Sequence, residues 1–216
     1  MTNKILKVVA PILLAIITAI ILRSCFPEKA HIGNIEHKIS GQSIVIIPTS
    51  GIPMQFLRNL ESTLEKQHKT DVLVTTAMGK GKEMLLVDSD QYNADYLAGV
   101  GTTIGKRIAR NGAFIVVLTN EDINYPESGL RYVFSSHYDG ISVVSLARIS
   151  SLNFGAKIDL LSAPEAFSNI MERSLKLINK AIGYEAYGYE VSSNINSVMY
   201  GPIMGVNDLD QVGSWY

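Results

Sequence analysis

The stretch Ala181-Ile-Gly-Tyr-Glu-Ala-Tyr-Gly-Tyr-Glu-Val191, followed by Ser197-Val-Met-Tyr200 and Asn207-Asp-Leu-Asp210, decides how this chain is read. Its first part closes a long helical pattern. Phe167, Ile170, Met171, Leu175, Ile178, Ala181, Ile182 and Glu185 fall on one face at helical spacing. Ser162-Ala-Pro-Glu165 supplies the start, a capping box with a proline in the first turn. Gly188 is placed to release the chain, and the polar run Val191-Ser-Ser-Asn-Ile-Asn-Ser197 leads to a turn at Met199-Tyr200. Asn207 or Asp208 is suited to cap a last helix that ends near Trp215.

Upstream, short β-branched runs alternate with helical patterns, which points to an α/β domain with parallel strands. Strands are expected at Ser43–Pro48, Val72–Thr75 and Phe114–Leu118. Pro53 suits a helix start, and Phe56, Leu57, Leu60 and Leu64 continue that helix to about His68. A second helix is expected from Asp88 to Arg110, with Ser89 or Asp90 as cap and Asn111-Gly112 as stop. Within it, Gly99 and Gly101 read as places of close packing, not as a dinucleotide fingerprint. The loop Ala77–Lys82 does not supply the Walker pattern and reads as a surface loop. Leu130–His137 and Ile141–Ile149 are expected as two strands of a hairpin turned by Asp139-Gly140, the first an exposed edge and the second interior.

A formal net charge of -1 over 216 residues gives no electrostatic case for nucleic acid. The chain has one cysteine, Cys25, so no intramolecular disulfide forms. The length suits one globular domain, expected over residues 43–216 after a polar linker at 26–42. Residues 1–25 read as a targeting segment: Lys4 and Lys7 precede the apolar run Val8–Leu22, and Arg23 ends it. With Ile5 and Leu6 included, residues 5–22 approach a membrane span. Leu22-Arg23-Ser24-Cys25 resembles a lipoprotein box with Cys25 at the lipidated position. Signal anchor and lipoprotein signal both stay open, and both tether the domain to a membrane, on the outer side of the cell envelope.

From Ser43 onward the chain resembles the archaemetzincins, a branch of the metzincin zinc peptidases. The resemblance rests on the opening strand into Pro48, Asp90-Gln-Tyr-Asn-Ala-Asp-Tyr-Leu97, Thr119-Asn-Glu-Asp-Ile123, Val143-Val-Ser-Leu-Ala-Arg148, Ser197-Val-Met-Tyr200 and Asn207-Asp-Leu-Asp210, in that order. It implies a twisted mixed sheet with one antiparallel edge strand, backing helices, a former active-site helix, a Met-turn and a C-terminal helix. In metzincins H-E-x-x-H-x-x-G-x-x-H supplies three zinc ligands and a general base ahead of the Met-turn. Matching Gly188 and the Met-turn residues Met199 and Tyr200 puts the ligand positions at Ala181, Glu185 and Val191 and the base at Ile182. Alanine and valine do not bind zinc, and isoleucine takes no proton from water. A register one residue earlier gives Lys180, Tyr184 and Glu190, which supplies no zinc site and loses the Gly188 match.

The expected reading is a membrane-tethered relative of zinc peptidases that does not catalyse, needs no metal cofactor and binds an extended peptide or protein segment. A divergent metal-dependent peptidase and a structural or assembly component of the envelope are the alternatives. Binding is expected by β-augmentation along Leu130–His137, with Arg131, Phe134, His137, Tyr184 and Tyr187 as contacts and Ala181 and Tyr200 lining the vacated space. Met199 is expected to pack on the helix near Glu185 and Gly188, and Glu185 to bond a tyrosine hydroxyl or water.

Overall fold

A computed structural model describes residues 43–108, 112–149 and 164–216. The expected targeting segment, linker and Cys25, the helix stop at Arg110 and Asn111, and the cap at Ser162 lie outside the described residues. Strands β1 (Ile44–Pro48), β2 (Val72–Val74), β4 (Phe114–Thr119), β6 (Ser135–Tyr138) and β7 (Ile141–Ser145) form one sheet in the order β2-β1-β4-β7-β6. All neighbours run parallel except β6, which pairs antiparallel with β7 at one edge. Strands β3 (Tyr92–Asn93) and β5 (Ile123–Asn124) make a small separate pair. The helices are α1 (Met54–His68), α2 (Ala94–Ile108), α3 (Pro164–Glu185) and α4 (Val206–Gln211).

Every residue of β1, β4 and β7 is buried, which is why these strands are largely apolar, with Ser142 and Ser145 the polar members of β7. Their side chains still alternate between two cores. Ile44, Ile46, Val116, Leu118 and Val144 meet Phe56, Leu60 and Leu64 of α1 and Ile170, Ile178 and Ile182 of α3. Val45, Ile47, Val117 and Val143 meet Leu97 and Ala98 of α2 on the other face. The result is a three-layer α/β arrangement in which each fully buried Ile, Leu or Phe contributes about 1.5–3 kcal/mol over leaving it exposed. Gly101 does mark close packing: a Cβ there would lie 2.3 Å from Val117, whereas one at Gly99 would meet nothing. Among the described residues no helix is long and apolar enough to cross a membrane.

Four expected boundaries are corrected. Helix α2 starts at Ala94, not at Asp88, because Asn93 Oδ1 accepts from the backbone N–H of Asp95 at 2.9 Å and so caps it; Ser89 instead closes a local turn with Gln91. The edge strand begins at Ser135, not at Leu130. Gly129, at φ 60°, turns the chain, Asn124 captures the Leu130 carbonyl at 2.9 Å, and Val133 bonds back to Ile123 at 3.2 Å. The following strand ends at Ser145, whose hydroxyl donates to the Glu121 carbonyl at 2.6 Å. The hairpin itself turns at Asp139-Gly140, with Gly140 at φ 71°. The last helix is shorter than expected and ends at Gln211; Gly205 is its N-cap, and the Asp208 carboxylate accepts from the Met204 N–H at 2.8 Å.

Candidate functional site

Between the β6 edge and the segment 200–204 runs a cleft floored by one face of α3. Leu177, Lys180 and Tyr184, three and four residues apart, form that floor. Two hollows meet at Lys180 and His137. One, of about 390 Å³, is walled by Tyr132, Phe134, Leu177, Ile203 and Met204. The other, of about 480 Å³, reaches Asp95, Tyr138, Tyr184 and Val191. A shallow hollow of about 620 Å³ over Lys82–Asp90 is made by one loop and shares no lining residue with the cleft.

The outer edge of β6 faces this cleft. Ser145 N–H bonds to the Phe134 carbonyl at 2.9 Å, so the alternation of an antiparallel ladder leaves the N–H and C=O groups of Ser135 and His137 pointing outward. His137 itself is committed within the strand: Nδ1 lies 2.9 Å from the Ser142 hydroxyl and Nε2 lies 3.1 Å from the Ser135 hydroxyl. Burial, and secondarily the charge of Lys180, lower its pKa to about 4, so the ring is neutral at pH 7. Its ring stacks obliquely with Tyr184 at 6.0 Å.

The Lys180 ammonium donates to the Tyr200 carbonyl at 2.5 Å, and among the described residues no carboxylate pairs with it. Desolvation lowers its pKa. At the far end of the smaller hollow the Tyr132 hydroxyl donates to the Met204 carbonyl at 3.4 Å, joining the two walls. Tyr132 is held from behind: the Arg148 guanidinium lies 3.9 Å from its ring centre while also bonding Asp122. The Phe134 ring meets it edge-on at 5.5 Å.

The residues marked in the sequence fall in different places. Ala181 and Ile182 are fully buried and belong to the core beneath the sheet, so Ala181 does not line the cleft. The helix turns about 100° per residue, and the face that meets the cleft starts one residue earlier, at Lys180. Glu185 faces the hairpin, where its carboxylate is bonded by the Gly140 backbone and not by a tyrosine; burial, and then nearby Asp139, raise its pKa. Val191 does line the cleft, exposed, eleven positions after Lys180. Tyr187 is buried on the opposite side of α3, where its hydroxyl bonds His68 Nδ1 at 2.8 Å, and it makes no part of the cleft lining. Phe134 is buried yet walls the smaller hollow, and Arg131 stands exposed at its mouth. Tyr200 enters through its carbonyl. Met199 packs over Gly183, where a Cβ would come within 2.6 Å of its sulfur, two residues before Glu185 and five before Gly188.

Leu177, Lys180, Tyr132, Ile203 and Met204 were not marked as contacts from the sequence. One signal existed for Lys180: a cation spaced with Leu177 and Tyr184 at helical intervals.

Zinc hydrolysis needs three protein ligands and an open position. The cleft offers Lys180, Tyr184, Val191, one carboxylate, Asp95, which accepts from the Tyr138 hydroxyl, and a histidine whose two nitrogens are both engaged by serines. Among the described residues no three His, Cys, Asp or Glu side chains converge. This donor set does not fit zinc.

Comparison with solved structures places the fold. The crystal structure of archaemetzincin from Archaeoglobus fulgidus, complexed with malonate, aligns with a TM-score of 0.62 at 21% identity over 81% of this chain and 95% of that one. The fold is that of an archaemetzincin. The archaemetzincin of Methanopyrus kandleri (TM-score 0.61, 20% identity, 86% of this chain and 92% of that one) agrees. So does a zinc-dependent peptidase from Methanocorpusculum labreanum (TM-score 0.62, 17% identity, 80% of this chain and 95% of that one). No family model and no curated protein matches the sequence. The archaemetzincin fold accounts for the mostly parallel sheet with its antiparallel edge pair.

Proposed function

We propose that this archaemetzincin-like domain binds an extended peptide or protein segment along β6 without cutting it, while residues 5–22 or a lipid on Cys25 tether it to a membrane at the outer side of the envelope. The observation that carries the reading is the outer edge of β6, unpaired among the described residues, beside a cleft whose helical floor presents Lys180 and Tyr184 in place of metal ligands. β-augmentation uses main-chain N–H and C=O groups and survives loss of catalytic side chains. The apolar run Val8–Leu22 supports the tether.

The test removes one outward donor. Ser135→Pro takes away an N–H at an edge position, where proline is tolerated, and leaves the buried Phe134 in place. Full-length protein in detergent micelles is mixed with a random decapeptide library, and retained peptides are identified by mass spectrometry. Wild type should retain intact peptides and the folded Ser135→Pro variant should not. Cleaved products, no retention by wild type, or equal retention by both proteins contradict the proposal.

A further inference from the structure

We propose that Lys180 binds the free C-terminal carboxylate of the segment, with that segment's last, apolar side chain in the hollow walled by Tyr132, Phe134, Leu177, Ile203 and Met204. This rests on the peptide-binding reading above and names the end of the peptide that the cleft takes.

Three observations converge on it. The first is an ammonium with spare capacity. Lys180 has three N–H donors, one of which meets the Tyr200 carbonyl, and among the described residues no carboxylate forms an ion pair with it. A half-buried cation without a counter-ion favours an incoming anion, because the anion repays desolvation that the fold has already imposed. The second is the charge of the walls. The hollow of about 390 Å³ is lined by two cations, Lys180 and Arg131, and by no carboxylate, whereas the adjoining hollow carries Asp95. The third is the link between the walls: the Tyr132 hydroxyl donates to the Met204 carbonyl at 3.4 Å, and we take this as the end at which the bound chain stops.

These requirements select a chain terminus over an internal acidic residue. A C-terminal residue carries its apolar side chain and its carboxylate on one Cα. An internal Asp or Glu would need a second residue to fill the apolar hollow, and side chains on the same face of a strand lie about 6–7 Å apart. Lys180 itself lines the apolar hollow, so one terminal residue can serve both.

The experiment uses full-length protein in micelles and acetylated pentapeptides of Gly, Ser and Ala that end in Leu. One is the free acid, one the C-terminal amide, and a third is an amide with Glu before the Leu. Wild type should bind the acid about tenfold or more tighter than either amide, the ratio that one charge-assisted hydrogen bond supplies. Lys180→Met should erase that preference, and Lys180→Gln, which still donates to the Tyr200 carbonyl, should erase it too. In wild type alone, ¹³C NMR of lysine ε-carbons should show the Lys180 pKa rise when the acid is added and stay put with the amide. Equal binding of acid and amide overturns this inference and leaves strand-type binding intact. Glu-amide binding as tight as the acid overturns the choice of a chain terminus. A preference that persists in Lys180→Met moves the anion to Arg131 and also overturns it. Binding of none of the three overturns both this inference and the peptide-binding reading.

Discussion

Two stretches of α3 carry basic side chains, and the fold treats them differently. Near the middle, Arg173 grips Asp210 through Nε and Nη2 at 2.6 Å each and reaches the Ile149 carbonyl at 2.6 Å. Lys176, one turn on, donates to the Leu209 and Asp210 carbonyls at 3.1 and 3.2 Å and pairs with Glu172 at 3.0 Å. Lysine ammonium against the last carbonyls of α4 is the favourable end of that helix dipole. One further turn on, Lys180 faces a cleft and, among the described residues, has a single carbonyl partner. The same residue chemistry is saturated where it holds the C-terminal segment and left open where that segment borders β6. A cation buried for structure has its partners inside the chain; the proposal above assigns the half-buried cation with donors to spare a partner outside it.

The saturated side should show its value in stability. Met199→Ala, above Gly183, removes a buried side chain from the contact between the Met-turn and α3 and should cost about 2–5 kcal/mol in urea unfolding. A loss well under 1 kcal/mol would show that the turn is not packed there. Asp210→Ala leaves the Arg173 guanidinium buried with one carbonyl and should cost about 2–3 kcal/mol. That is at or below the low end for breaking a buried pair, because the Asp210 side chain is 46% exposed. If Asp210→Ala were neutral, the contrast between the two stretches would fail.

Acid probes the open side. In the fold His137 protonates only near pH 4, against 6.5 for the free ring, so between those values the unfolded chain binds a proton that the folded chain does not. Stability therefore falls as pH drops from 6.5 to 4, by about 2 kcal/mol after allowance for the ring's partial exposure, and the loss from this group ends below pH 4. His137→Asn should flatten that part of the pH–stability curve. The smallest effect on stability belongs to Lys180→Met, under about 1 kcal/mol, since the lost bond to Tyr200 is offset by relief of a desolvated charge. The same variant should move the His137 titration, followed by NMR, upward toward its ordinary value, because the Lys180 charge is the second cause of its depression.

The sheet was legible in the sequence because β1, β4 and β7 are buried on both faces, and largely apolar runs state that without help from tertiary context. Helix α1 was legible for the complementary reason, since Phe56, Leu57, Leu60 and Leu64 mark a single buried stripe. The Asp139-Gly140 turn was read from chemistry local to it. What failed depended on contacts between distant residues. The start of β6 is set by Asn124 and Ile123 capturing the chain at Leu130 and Val133, and nothing inside Leu130–His137 encodes that. The start of α2 was misplaced because Ser89, Asp90 and Asn93 are all capping residues, and pairing of Tyr92-Asn93 with Ile123-Asn124 chooses among them. The candidate site was half legible. Spacing from Gly188 and Met199 located the helix end, but which face of α3 meets the cleft depends on how it packs on α1 and the sheet. That one-residue difference replaces Ala181 and Glu185 with Lys180 and Tyr184. Tyr187 misled for a similar reason: its hydroxyl, taken as a recognition group, is used by His68 in the interior.

The central claim is that the cation of this archaemetzincin-like cleft is a lysine ammonium and not zinc. The most direct measurement is the metal content of full-length protein purified in detergent from cells grown with added zinc, after dialysis against a weak chelator. The account predicts zinc far below one ion per chain, unchanged in Lys180→Met and His137→Asn. Near-equimolar zinc that survives dialysis and is lost in His137→Asn would contradict it.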